Sequence, residues 1–571
     1  MPCRLHHSAL LRLDDRQADR PRREPRPGAR AHAGRARGLR RRRRAHDTAI
    51  QPGDRRRPRI SRCERDHGLA RKRISRPVSE TFRGAIVRRV AIIDTTLRDA
   101  PQCLWATRMT AGMMLPVAEK LDRTGFGRMD LAAAIQFDVC VRYLKENPWE
   151  KFRLLRERIV RTPLQATVRG RSLVSFDILP NDIIELWVER LVANGFRVVC
   201  AMDGLNDVDN LAVSLTLAKS LGVMTEASLA FSQSPVHTDE HYANAAAEII
   251  RRIGVDAIKI RDAGGLLTPD RIRTLVPALK RVMGTTRLAL HSHCLTGLAP
   301  LVYLEGIKLG VDEVAASIAP LANGPAQPAT QTFVRNARAL GFEAGIDLEA
   351  ADEIGEHFRR IAEQEGLPLG VPAEYDEFHF THQVPGGMLT NLKFQLEQAG
   401  LADRFDAVLE ECARVREELG WPIMITPFSQ LVGTQAVLNV VQGERYRVVP
   451  NEVKKYALGH YGKLLAPVDP DVLDRIVANG SSEILATAPA LEPAVPALRR
   501  QYPAQGDDER LLRFMFAGNQ VDEMLAAGPL ATEYLFKNKA QRLLELALGT
   551  KKMRYVRLAQ DDVRIEAYRH R

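Results

Sequence analysis

The stretch Thr286-Arg-Leu-Ala-Leu-His-Ser-His-Cys-Leu-Thr-Gly297 is a short apolar run that ends in two histidines, His291 and His293. Residues i and i+2 of a β-strand point to the same face, so both imidazoles project from one side of the strand where it ends. Two imidazoles in that arrangement can bind one divalent cation. The alternative is that they are ordinary polar residues at a strand end, and the pair alone does not choose between the two.

Similar apolar runs alternate with amphipathic segments from residue 90 to about residue 340. The predicted strands are Val90–Asp94, Gly127–Ala133, Leu164–Arg169, Arg197–Met202, Val223–Ala230, Ala257–Ile260, Arg287–His291 and Val314–Ile318. Eight strand–helix units in about 250 residues predict a parallel α/β fold, of which a closed (β/α)8 TIM barrel is the simplest form. A doubly wound fold is disfavoured, because no Gly-x-Gly-x-x-Gly or Gly-Lys-Ser/Thr phosphate loop occurs.

Charged and polar residues recur where these predicted strands end, which is where the active site of such a barrel lies. They are Asp99, Arg169, Asp203, Glu226, Arg261, Asp262, His291, His293 and Asn323. A purely structural barrel end needs few such residues. Asp99 follows the first strand and offers a carboxylate to His291 and His293. Two histidines and one carboxylate leave coordination positions open for a substrate, as a catalytic metal site requires.

The rest of the chain divides by composition. The predicted segments are an Arg-rich disordered leader (1–85), the barrel (88–345), a helical region (346–470), a Pro/Ala-rich linker (485–505) and a small helical tail (507–571). The leader, with the run Arg40-Arg-Arg-Arg-Arg44, lacks the apolar periodicity needed to fold. The leader could be a polyanion-binding tail or a transit peptide. We favour a third interpretation, that the gene start has been placed too far upstream and that the true start lies near Val78.

Charge and cysteine usage exclude several classes of protein. Residues 1–90 contain 28 Lys and Arg against 9 Asp and Glu, whereas the remainder contains 55 against 61, so the net charge of +13 belongs to the leader. Nucleic acid is therefore not expected as a partner of the body. Seven scattered cysteines without a Cys-x-x-Cys pair favour a reducing, cytoplasmic location. No apolar stretch is long enough to span a membrane.

Several longer motifs occur in order between residues 88 and 470. They are Asp94-Thr-Thr-Leu-Arg-Asp-Ala-Pro-Gln102, Ala106-Thr-Arg108, Tyr143-Leu-Lys-Glu-Asn-Pro-Trp-Glu150, Val168-Arg-Gly-Arg171, Met202-Asp-Gly-Leu-Asn-Asp207, Asp262-Ala-Gly-Gly-Leu-Leu267, His382-Gln-Val-Pro-Gly-Gly387, Ser429-Gln-Leu-Val-Gly-Thr-Gln435 and Asn451-Glu-Val-Lys-Lys-Tyr456. This series resembles the carboxyltransferase domain of pyruvate carboxylase, of the oxaloacetate decarboxylase alpha subunit and of transcarboxylase. The wider group shares a barrel of this kind and a bound divalent metal.

The resemblance implies roles for individual residues. Asp99, His291 and His293 would bind the metal, which could be Zn, Mn or Mg. Arg98, Gln102 and Arg169 would bind the carboxylate and carbonyl of a small 2-oxo acid. A planar guanidinium suits a carboxylate, and a metal polarises a carbonyl as a Lewis acid. The resemblance also implies a biotin carboxylase and a biotinyl carrier as partner chains, with biotin supplied in trans, and we expect a homo-oligomer.

The chain also departs from the family pattern. Arg261 stands where the biotin-dependent members have a Lys whose carbamate binds the metal, and a guanidinium cannot form that carbamate. Lys259 lies on the same face but one layer deeper. Pro325 replaces a proton-shuttling Thr, Cys294 replaces an Asp, and Pro101 replaces a His. The biotinylation string Ala-Met-Lys-Met does not occur in the sequence.

Three functions remain open at this stage. The first, which we favour, is a metal-dependent carboxyltransferase subunit that acts on a 2-oxo acid with biotin in trans. The second is a biotin-independent carbon–carbon lyase, in which Asn323 could be a fourth metal ligand and Arg261 binds an anionic group or forms a structural ion pair. The third is a non-catalytic subunit of a biotin-dependent complex.

Overall fold

Eight parallel strands close into a barrel in the computed structural model, which describes residues 88–398, 400–538, 541, 544, 555–560 and 563–568. The strands, numbered β1 to β8 in chain order, are Ala91–Asp94, Arg128–Ala133, Leu164–Arg169, Val198–Asp203, Met224–Ala230, Ala257–Asp262, Arg287–Ser292 and Glu313–Ala316. Each strand pairs with the next, and β1 pairs with β8 to close the ring. The predicted barrel is confirmed, with strand bounds within two residues of expectation. The expectations for residues 1–85 lie outside the described residues.

Helices follow every strand and pack around the barrel. They are Asp99–Leu104, Ala111–Arg123, Ala134–Val139, the π-helical segment Cys140–Leu144, Pro148–Arg158, Asn181–Ala193, Val208–Ser220, Asp239–Arg252, Pro269–Met283, Ala299–Lys308 and Thr330–Ala339. The sequence pattern did not predict the short helices after β1 and β2. One of them, Pro148–Arg158, is set by its first residues, because Asn147 caps it by accepting a hydrogen bond from Trp149 N (3.0 Å) and Pro148 begins it.

A network of buried charges fills one layer of the barrel interior below the mouth. Arg128 of β2 pairs with Glu226 of β5 and with Glu313 of β8 (2.6 Å), and Lys259 of β6 pairs with Glu226. Lys259 aligns with Ala289 of β7, whereas Arg261 aligns with His291. Lys259 therefore lies one layer beneath Arg261, and its charge is neutralised inside the barrel rather than offered to the mouth.

The region after the barrel is helical, as predicted. Its helices are Leu348–Glu365, Phe378–His382, Gly386–Gln398, the 3-10 turn Ala402–Arg404, Phe405–Glu418, Phe428–Gln442, Asn451–Ala457 and Pro470–Asn479. The helices from Gly386–Gln398 onward build a second apolar core that includes Val415, Val432 and Tyr456, whereas Leu348–Glu365 buries Ile354 and Phe358 in the core of the barrel. Gln383 and Arg416 join the region to the loop after β5: Gln383 Oε1 accepts from Ser232 Oγ (3.0 Å), and Arg416 Nη2 donates to Ser232 Oγ (2.8 Å).

The C-terminal segments differ from expectation in two places. The predicted linker, 485–505, contains the helix Val495–Gln501, and its Val495 and Leu498 are buried in the barrel's core cluster. These two side chains lie one helical turn apart and give the segment an apolar face, which the Pro/Ala composition hides. The tail forms the helices Asp507–Met515 and Gly518–Ala526, but it ends in an antiparallel hairpin of Tyr555–Gln560 and Val563–Tyr568. There the tail differs from the expected helices, and its second segment, Val563-Arg-Ile-Glu-Ala567, alternates apolar and polar residues as a β-strand does.

Within the described part of the chain, no helix combines the length and the apolar composition that crossing a membrane requires. The five cysteines that lie there are all free thiols. Cys3 and Cys63 lie outside the described residues.

Candidate metal centre

Asp99, His291 and His293 meet at the C-terminal mouth of the barrel. Asp99 Oδ2 lies 2.9 Å from His291 Nε2 and 3.6 Å from His293 Nε2, and the two Nε2 atoms lie 3.3 Å apart. All three residues are buried. Three donor atoms that converge in this way, one of them an ionised carboxylate oxygen, fit a divalent cation. The structure thus brings together the three residues that the sequence analysis named for the metal.

Asp99 is held in place by its neighbour and by β2. Arg98 Nη1 contacts Asp99 Oδ1 at 2.8 Å, and Arg98 Nε donates to Asp130 Oδ2 at 3.1 Å. Burial would raise the pKa of Asp99, but the charge of Arg98 and the hydrogen bond from His291 outweigh it and hold this pKa well below its usual value. Asp99 is therefore ionised, as a metal ligand must be.

The ring orientation of each histidine leaves Nε2 facing the cluster. His293 Nδ1 lies 2.6 Å from the carbonyl oxygen of Pro325, so Nδ1 carries the proton and Nε2 keeps its lone pair. His291 Nδ1 is buried without a partner among the described residues. Burial, and then the charge of Arg261, hold the pKa of His291 well below its usual value. A neutral imidazole is the form that binds a metal.

Gln327 is the residue at this centre that the sequence analysis missed. Its Nε2 atom lies 2.9 Å from Asp99 Oδ2, 3.3 Å from His291 Nε2 and 3.1 Å from His293 Nε2. Gln327 is part of the Gly324-Pro-Ala-Gln-Pro328 string, of which the sequence analysis considered only Pro325. Asn323, considered as a fourth ligand, turns the loop with a φ of 71°, and its backbone N–H donates to the carbonyl of Gln327 (2.8 Å).

Arg261 lies beside the metal centre with little to balance its charge. The residue is 4% exposed, its Nε donates to Ser228 Oγ at 3.1 Å, and its Nη2 has no hydrogen-bond partner among the described residues. The structural ion pair that was considered for Arg261 is not found in that part of the chain. A buried, unpaired guanidinium nitrogen is costly, and such groups commonly mark a functional site.

The remaining predicted substrate-binding residues differ in how much of their hydrogen-bonding capacity the protein already uses. Arg169, at the end of β3, donates from Nη2 to the carbonyl of Ser175 (2.6 Å) and lies over the ring of Phe176. Burial lowers its pKa to about 10, which Asp138 only partly offsets. Gln102 is exposed, and its Oε1 accepts a long hydrogen bond from Arg98 Nη1 (3.5 Å). Arg98 itself is committed to carboxylates, so its observed contacts position Asp99.

Comparison with known proteins identifies the family to which the chain belongs. Residues 198–357 match the HMGL-like domain, and residues 380–522 match the conserved carboxylase domain. A pyruvate carboxylase subunit of Methanocaldococcus jannaschii is 42% identical over 396 residues, which are 69% of this chain and 70% of that one. The chain belongs to the carboxyltransferase family.

Two further relatives show how widely the family likeness extends. This carboxyltransferase-family chain is 34% identical to the 2-oxoglutarate carboxylase large subunit of Hydrogenobacter thermophilus, over 70% of this chain and 62% of that one. The carboxyl transferase domain of Rhizobium etli pyruvate carboxylase, solved with pyruvate, superposes with a TM-score of 0.71 at 25% identity and covers 77% of each chain. The barrel and the helical region after it are thus the family's shared architecture.

Proposed function

We propose that this chain is a metal-dependent carboxyltransferase subunit that moves a carboxyl group between biotin, carried on another chain, and a small 2-oxo acid. The single observation that carries this proposal is the convergence of Asp99, His291 and His293 at the barrel mouth beside Arg261. The relatives named above act on pyruvate or 2-oxoglutarate, so a 2-oxo acid of that size is the substrate class.

The proposal assigns the metal to Asp99, His291 and His293. A divalent ion bound there supplies a Lewis acid that stabilises the enolate of a 2-oxo acid. The protein's part is to keep His291 neutral and Asp99 ionised, which burial and Arg98 accomplish, while the Pro325 carbonyl holds the Nδ1 side of His293 so that Nε2 faces the metal. The metal could be Zn, Mn or Mg by the chemistry of these ligands.

Binding of the substrate carboxylate falls to Arg169 and Arg261. Both are arginines at strand ends, and both have hydrogen-bonding capacity that the protein does not use fully. A carboxylate placed against Arg261 Nη2 would give that buried nitrogen its missing partner. Gln102, exposed at the mouth, supplies a neutral amide for the substrate carbonyl. Arg98 acts indirectly, by holding Asp99 in position.

One observation favours a second function, a lyase that works without biotin. Arg261 cannot form a carbamate, and Pro325 has no hydroxyl with which to move a proton. Lys259 does not replace the missing amine, because it is buried in an ion pair with Glu226. Cleavage of a 2-oxo acid at the carbon next to its carbonyl needs the metal and the arginines but not these two groups.

The partners follow from the first function. A biotin carboxylase and a biotinyl carrier would load and deliver the carboxyl group, and the chain would work in the cytoplasm as a homo-oligomer. The relative from Methanocaldococcus is itself named as one subunit of a pyruvate carboxylase, which supports a multi-chain assembly.

Decarboxylation of oxaloacetate by the purified chain separates these functions. We would measure pyruvate release with and without free biotin, and with and without added metal, using Asp99→Ala as the inactive control. Turnover that biotin stimulates supports the carboxyltransferase, and metal-dependent turnover that ignores biotin supports the lyase. Absence of turnover on 2-oxo acids, with metal bound, would contradict both and leave a non-catalytic subunit.

A further inference from the structure

The amide end of Gln327 and the three donor atoms of Asp99, His291 and His293 form a nearly regular tetrahedron. Its six edges all lie between 2.9 and 3.6 Å. Every vertex is an oxygen or nitrogen atom of a side chain that can bind a metal. Hydrogen bonds from His291 and Gln327 to Asp99 hold these atoms together, and the same arrangement leaves a centre of the size that a cation requires.

The edge lengths indicate which kind of cation fits. Metal–ligand distances of about 2.0–2.1 Å give tetrahedral edges of about 3.3–3.4 Å, in the middle of the observed range. Four donors on an octahedral ion must include at least one opposite pair, separated by about 4.1 Å for a Mg²⁺-sized ion. The longest edge here is 3.6 Å, between Asp99 Oδ2 and His293 Nε2. The four atoms therefore suit a tetrahedral ion such as Zn²⁺.

The Gln327 amide can present its oxygen to that ion by exchanging the hydrogen bond from Nε2 to Asp99 Oδ2 (2.9 Å) for a bond to the metal. Its Oε1 now accepts from Thr95 Oγ1 (3.0 Å) and from Ser317 Oγ (3.4 Å). Turning the amide by 180° would place Nε2 against these hydroxyl oxygens, which can accept as well as donate. Thr95 Oγ1 can then donate to the carbonyl of Ala316, 3.1 Å away. The hydroxyls of Thr95 and Ser317 thus accommodate both orientations of the amide, and in the turned orientation the cation takes the place of the hydrogen bond to Asp99.

We propose that Gln327 is the fourth protein ligand of a tetrahedral Zn²⁺ at the barrel mouth, bound through Oε1. Arg261 aligns with His291 but cannot ligate, because a guanidinium has no lone pair to offer. A neutral amide is a weaker ligand than an anion, and a substrate oxygen could displace it to gain the position that catalysis requires. The inference rests on the metal site of the proposed function and adds its fourth member.

The test measures metal binding directly and requires no turnover. Zn²⁺ affinity of the full chain would be compared among the wild type, Gln327→Leu and Gln327→Glu. Gln331→Leu is the matched control, since Gln331 is also buried but bonds to Ala319 and Asp352. Outer-shell partners of a metal change affinity by about 10–100-fold, so loss of a direct ligand should weaken Zn²⁺ at least about 100-fold in Gln327→Leu.

The absorption spectrum of bound Co²⁺ shows whether Gln327 is a metal ligand or only a neighbour that positions Asp99. Co²⁺ in the wild type should show the strong visible absorption of a four-coordinate ion, and Gln327→Glu should shift these bands while retaining affinity. Gln331→Leu should match the wild type in both measurements. Unchanged affinity and spectrum in the Gln327 variants would overturn the fourth ligand but leave the three-residue site. Failure of the wild type to bind Zn²⁺ or Co²⁺ would overturn the metal site itself.

Discussion

Replacing Arg261 by Met should stabilise the chain when neither metal nor substrate is bound. The guanidinium is 4% exposed, and its Nη2 is without a partner among the described residues. Met is similar in length and apolar, so it removes a buried charge without opening a large cavity. Because the role proposed for Arg261 is to bind substrate, activity should fall as stability rises.

The magnitude follows from two opposing contributions. An unsatisfied buried donor costs about 1–3 kcal/mol, and more when it is charged. The substitution also loses the hydrogen bond from Arg261 Nε to Ser228 Oγ (3.1 Å), which is worth about 1–1.5 kcal/mol. With the upper value of the first cost, about 3 kcal/mol because the donor is charged, the net expectation is a gain of about 1.5–2 kcal/mol in the free energy of unfolding.

Lys259 provides a matched control on the same strand and face. It is also a fully buried cation, but it pairs with Glu226. Breaking a buried pair by removing one partner costs about 3–5 kcal/mol, so Lys259→Met should destabilise by that amount. Both variants would be unfolded in guanidinium chloride with a chelator present, and the midpoints compared with that of the wild type.

The comparison is decisive because the two substitutions are expected to change the free energy of unfolding in opposite directions. A loss of more than about 1 kcal/mol in Arg261→Met would refute the reasoning, since the single hydrogen bond to Ser228 cannot outweigh the cost of the unpartnered Nη2 by that much. Addition of metal and a 2-oxo acid should reverse the order of the wild type and Arg261→Met, because only the wild type gains binding energy from the guanidinium.

Three further outcomes are expected. Asp122→Ala should cost about 3 kcal/mol of unfolding free energy in a denaturant titration, because Asp122 accepts from the backbone N–H groups of residues 160–162; equal stability would contradict this. Arg169→Met should raise the KM for a 2-oxo acid about 10–100-fold, as loss of a charged hydrogen bond predicts, with Arg169→Lys intermediate and metal content unchanged in both. Burial, with a smaller contribution from Arg416, lowers the pKa of His237 to about 3, so only the unfolded state takes up this proton as the pH falls below 6.5. The wild type should lose about 2 kcal/mol more than His237→Gln between pH 7 and pH 5, and parallel pH profiles of unfolding would exclude this effect.

The barrel was predictable because its signals are local. Each strand is a short and largely apolar run, and the helices between strands show apolar periodicity, so the existence and order of these elements followed from the sequence. His291 and His293 were placed on one face by strand geometry alone. The position of Asp99 needed one further assumption, that the turn after β1 returns it to the barrel mouth.

What the sequence did not reveal depends on contacts between distant segments. Gln327 reaches the metal centre only because the loop after β8 folds back through Asn323 and is fixed by Thr95 from β1's turn. Whether Arg261 had an ion-pair partner also depended on packing, since its neighbours come from other strands. The helix Val495–Gln501 is set by burial against the barrel, which its Pro/Ala-rich composition conceals.

The measurement closest to the central claim is the metal content of the purified full chain. Inductively coupled plasma mass spectrometry after zinc addition and dialysis should find about one ion per chain in the wild type. The double variant Asp99→Ala, His291→Ala should retain less than about a tenth of that amount while keeping its helical circular dichroism. A wild type without bound metal, or a double variant with full metal content, would contradict a cation held by Asp99, His291 and His293.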